Sequence, residues 1–73
     1  MNRTDLFHAM ELGKELKQLE LCHDLIQGGS RIYIHDYHDY AHELPIEVES
    51  LRQAILQVVR NRIDDINEEI KEL

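Results

Sequence analysis

Tryptophan is absent from these 73 residues, and phenylalanine, proline and cysteine occur once each. A single cysteine excludes a disulfide within the chain. Cys22 stands among Leu21, Leu25 and Ile26, so it reads as a small apolar residue of a packed face. A reduced, cytoplasmic setting fits. No apolar run approaches the roughly 20 residues that a membrane span needs. The stretch from Met1 to Met10 carries Arg3, Asp5 and His8 and lacks the apolar core of a signal peptide. Positive charge is also scarce: 8 Lys and Arg against 15 Asp and Glu give a formal net charge of −7. Phosphate binding draws on Lys and Arg, so no nucleic acid and no membrane surface is expected as a partner.

What remains is helix-forming sequence around one unusual segment. The length allows a single domain, residues 1–73, and a core too small to be robust without a staple or self-association. The first segment, 4–27, reads as a helix capped by Thr4 or Asn2, with Asp5 in its first turn. Ala9, Leu12, Leu16, Leu19, His23 and Ile26 recur in alternating steps of three and four, which makes a heptad stripe. Leu6, Met10, Leu21, Cys22 and Leu25 add apolar surface beside it. Gly28-Gly29 ends the helix, since glycine takes the left-handed capping conformation without strain.

The second segment, 30–44, abandons the helical period. Arg31-Ile32-Tyr33-Ile34-His35 alternates and is rich in β-branched and aromatic residues, Asp36 to Asp39 supplies turn formers, and Tyr40 to Leu44 reads as a return strand. The third segment, 45–72, reads as a long helix opened by Pro45, with Glu47 and Glu49 at its positive end. Leu56, Val59, Ile63, Ile66, Ile70 and Leu73 form a strict three-four repeat, and Val48, Leu51, Ile55 and Val58 a second stripe. The expected fold is mostly α: a two-helix antiparallel coiled-coil hairpin with a short β-hairpin insert. Two helices cannot hide both stripes of each other, and exposed apolar rows favour association. A homo-oligomer is therefore expected, with Leu56, Val59, Ile63, Ile66, Ile70 and Leu73 as its seam.

All three tyrosines and three of the five histidines fall between Tyr33 and His42. His35, His38, His42, Asp36 and Asp39 are competent metal ligands. Their spacing places positions three apart on opposite faces of a strand, so no metal or other cofactor is expected. Ser30 and Ser50, the only serines, stand in no nucleophile motif, and neighbouring His and Asp side chains point apart, so no catalytic residue is assigned and the chain is expected to be non-enzymatic. A recognition surface suits the composition better. Tyrosine offers broad amphipathic contact at low entropic cost, with His and Asp adding hydrogen bonds, and a base can stack on Tyr or His. The candidate ligand-binding residues are Ser30, Arg31, Tyr33, His35, Tyr37, His38, Tyr40 and His42, with Arg31 for a ligand's negative charge.

The layout of a leucine-rich helix, Gly28-Gly29, a polar hairpin, Leu44-Pro45 and then Glu47-Val48-Glu49-Ser50-Leu51 opening an acidic coiled helix resembles small phage-encoded accessory proteins. The resemblance implies a protein of the host-cell cytoplasm that antagonises host defence, either by sequestering a nucleotide-like signal between protomers or by docking a host defence protein. A purely structural helical assembly unit is the third expectation.

Overall fold

The computed structural model describes residues 2–38 and 42–73. Helix α1 spans Arg3–Gln27, strands β1 and β2 span Ile32–His35 and Glu43–Ile46, and helix α2 spans Glu49–Lys71. The helices run antiparallel, side by side, with the β-hairpin inserted between them in the chain. The long axis is 46 Å and the thinnest is 15 Å, which is little more than one layer of helices.

Each helix end has a local cause. Asn2 caps α1, its Oδ1 accepting the Asp5 backbone N–H at 2.8 Å. At the other end the Ser30 N–H donates to the Leu25 carbonyl at 2.9 Å and the Gly29 N–H to the Ile26 carbonyl at 3.1 Å. This is a Schellman turn, and Gly29 supplies the left-handed residue at φ 95°.

Strand β2 continues past its expected end. Pro45 does not open a helix but sits in β2 opposite Tyr33, and α2 begins four residues later at Glu49. The ladder explains the tolerance. The Asp36 N–H donates to the His42 carbonyl at 3.0 Å, so bonded pairs fall on Ile34–Leu44 and Ile32–Ile46. Pro45 then lies in a non-bonded pair, where its missing N–H is not needed.

The heptad stripe of α1 faces α2: Leu12 is buried, and Ala9, Leu16, Leu19, His23 and Ile26 are half-buried. On α2, Leu56 and Ile66 are buried and Val59, Ile63, Ile70 and Leu73 half-buried against it. The three-four repeat expected as an oligomer seam is thus occupied by α1 of the same chain. The reason is proximity: a helix of the same chain is always within reach of this seam, whereas a second chain must be recruited from solution. The second stripes stay open, with Leu21, Leu25, Val48, Leu51 and Val58 all exposed.

Candidate functional site

Period-two alternation divides the hairpin into two faces. Tyr33 and His35 share one with their partners Pro45 and Glu43, and the His35 Nδ1 lies 3.2 Å from the Glu43 Oε1. Ile32, Ile34, Leu44 and Ile46 form the other. This apolar face changes along its length. Ile46 is buried and Ile32 half-buried where the hairpin leaves the helices, while Ile34 and Leu44 are exposed farther out.

At the tip, the Asp36 Oδ1 accepts the His38 backbone N–H at 2.9 Å, an Asx turn. The His42 Nδ1 lies 4.0 Å from the other Asp36 oxygen. Tyr37 is 79% exposed and meets the His38 ring edge-to-face, with centroids 5.9 Å apart. A shallow groove of about 430 Å³ opens here between Ile34, Leu44, Asp36, His42 and Glu43.

Among the described residues, the ligand residues assigned from sequence do not converge within one chain. Ser30 and Arg31 lie where the hairpin leaves α1, about 20 Å along the chain from Tyr37 and His38. Tyr33 and His35 occupy one face and His42 the groove end of the other. Tyr40 and Asp39 lie outside the described residues. Among the described residues no three His, Cys, Asp or Glu side chains come together as a metal site. Among the described residues no helix is long and apolar enough to cross a membrane.

Two arginines that the sequence reading left unassigned organise the C-terminal end of α1, where the hairpin leaves it. The Arg52 guanidinium donates to the Ser30 carbonyl at 2.9 Å and to the Ile26 carbonyl at 3.1 Å, neutralising the negative end of α1. The Arg60 Nε–H donates to the His23 Nε2 at 3.2 Å, which leaves the His23 Nδ1 to carry the proton toward Asp24. Both line an open groove of about 530 Å³ with Gln27, Glu49, Gln53 and Leu56. They lie eight residues apart on α2, about two turns, so both fall on one face of that helix, and no motif in the sequence marks them.

A third arginine closes the middle of the helix pair. The Arg62 Nε and Nη2 donate to the two Glu15 carboxylate oxygens at 2.6 and 3.0 Å. The hydrogen bond from Arg62 holds the Glu15 carboxyl below the usual glutamate range, reinforced by the guanidinium charge and partly opposed by desolvation. The same bond raises the Arg62 guanidinium further above its ordinary value. His8 and Glu69 meet nearer the α1 N-terminus, at 3.0 Å.

Comparison with protein-family models, curated proteins and solved structures gives no match.

Proposed function

We propose that this chain is a non-enzymatic protein-binding module that presents its β-hairpin to a partner. The observation that carries the reading is the exposed end of the apolar face, where Ile34 and Leu44 floor a groove that Asp36 and His42 border at the tip. Among the described residues the sheet has two strands, so each strand keeps one free edge. An extended segment can add to such an edge through main-chain bonds and seat alternate side chains on the face. The Asp36 carboxylate on that side favours a segment carrying Lys or Arg beside an apolar residue. It disfavours a phosphate, which leaves capture of a nucleotide signal as the second reading, carried by exposed Tyr37 for stacking.

The resemblance to phage accessory proteins makes host defence proteins the first partners to test. Immobilised protein is challenged with candidate defence proteins, alongside an Ile34→Asp, Leu44→Asp variant. Stoichiometric binding by the parent and its loss in the variant support the reading. Binding that ignores the variant, or thermal stabilisation by a panel of cyclic and ADP-ribose nucleotides without protein binding, overturns it.

A further inference from the structure

We propose that the groove between the C-terminal end of α1 and the first half of α2 binds a small organic acid, one carboxylate on an apolar body. This site is separate from the hairpin surface and does not rest on it.

Arg60 supplies the recognition. Its Nε–H is committed to the His23 Nε2 at 3.2 Å, which holds the guanidinium by one nitrogen. The two terminal nitrogens, Nη1 and Nη2, meet no acceptor among the described residues. Two N–H groups side by side in a rigid plane match the two oxygens of a carboxylate. His23 accepts the Arg60 bond only as a neutral ring, so it adds no charge of its own. Asp24 lies at the other ring nitrogen, 3.3 Å from Nδ1. In a chain with 15 acidic residues, half-buried Arg60 thus has no carboxylate partner among the described residues. A charge drawn partly out of water gains most from a counter-ion.

The other end of the groove is already balanced. Arg52 meets the Ser30 and Ile26 carbonyls, and its Nε lies 3.9 Å from the Glu49 carboxylate. The Gln53 side-chain amide donates to that carboxylate at 2.9 Å. Arg60 stands about 12 Å farther along α2. Between the two arginines the groove is lined by Leu56, 4% exposed, and half-buried Ile26. One end therefore offers an unmatched cation, the middle an apolar floor, and the far end a neutralised polar group. A volume of about 530 Å³ suits a small molecule.

Charge selects the head group. Arg52 and Glu49 cancel, so a single negative charge balances Arg60. A phosphate would bring a second charge toward Glu49 in a chain that already carries −7.

Nitrogen-15 NMR of the intact chain tests the proposal, with sodium hexanoate as the probe at constant ionic strength. Hexanoate is expected to give saturable shifts at the Arg60 Nε–H and at the amides of Ile26 and Leu56. Hexanol, with the same body and no charge, is expected to bind more weakly, and inorganic phosphate to leave these signals in place. Arg60→Gln should weaken hexanoate binding by about tenfold. Arg60→Lys keeps the charge without the fork and should also bind more weakly than the parent, which decides the matter where the Gln variant fails to fold. Ile34→Asp is expected to bind hexanoate as the parent does, which separates this groove from the hairpin. Unshifted Arg60 signals, or equal binding of hexanoate and hexanol, overturn the proposal. So does unchanged hexanoate affinity in either folded Arg60 variant, or a stronger response to phosphate than to hexanoate.

Discussion

Arg62 grips both oxygens of Glu15 across the middle of the helix pair, with bonds of 2.6 and 3.0 Å. Two parallel bonds fix the rotation of each helix as well as their separation, which a single Lys contact cannot do. Both side chains remain partly exposed, so the bridge contributes more to register than to stability.

The bridge has a pH signature with a definite sign. A carboxyl whose folded value lies below its unfolded one adds stability above the ordinary glutamate range and loses it as pH falls through the lowered value. Glu15→Gln should therefore be less stable than the parent at neutral pH. The two should converge in acid, below the lowered value. Urea titrations across that window measure it, and a gap that persists in strong acid removes the bridge as the cause.

Ile66 has no exposed surface at all. Truncating it leaves a cavity between the helices, and Ile66→Ala should cost about 2–4 kcal/mol. A chain this short has little more to lose, so the variant should be largely unfolded at room temperature. Val58→Ala, on the open stripe of the same helix, should change the stability of the single chain by well under 1 kcal/mol. Equal losses at the two positions would mean that the burial pattern is wrong.

The contrast between Ile66 and Val58 also marks how far the sequence could be read. Both belong to regular three-four stripes, and periodicity revealed both stripes together with the antiparallel helix pair. It did not say which stripe the chain would use on itself. That depends on which helix arrives first, a tertiary fact that a one-dimensional pattern does not hold. The hairpin was legible from Arg31 to His35, where β-branched and aromatic residues alternate. Its far limit was not, because Leu44-Pro45 followed by acids looks like a helix start. The ladder phase that lets Pro45 stay in a strand is set by Asp36 and His42, nine and three residues earlier. As for the candidate site, the concentration of Tyr and His was visible, but its dispersal over two faces and a tip was not.

Gly29 is the one residue of the chain with a left-handed backbone among those described. An added Cβ there would meet no neighbour, so space is not the constraint. Conformation is, and Gly29→Ala should cost about 1–2 kcal/mol. The loss should show as earlier melting and as faster amide exchange at Gly29 and Ser30, whose N–H groups make the turn. Unchanged exchange at Ser30 would show that the turn survives the substitution.

Arg52 acts on the same helix end from outside. Its fork reaches two carbonyls that no helical N–H satisfies in the regular ladder, those of Ile26 and Ser30, and its side chain is mostly buried. Charged donors give the stronger class of hydrogen bond, so Arg52→Ala should lower stability by about 2 kcal/mol. Arg52→Lys should recover less than half, because a single ammonium cannot span two acceptors set by a rigid fork. The Ile26 carbonyl accepts from both Arg52 and the Gly29 N–H. Once the Schellman turn is broken, Arg52 has less to hold. Arg52→Ala and Gly29→Ala combined should therefore destabilise by less than their sum, which a double-mutant cycle in urea resolves. Strict additivity would place the two effects at independent sites and refute a shared helix end.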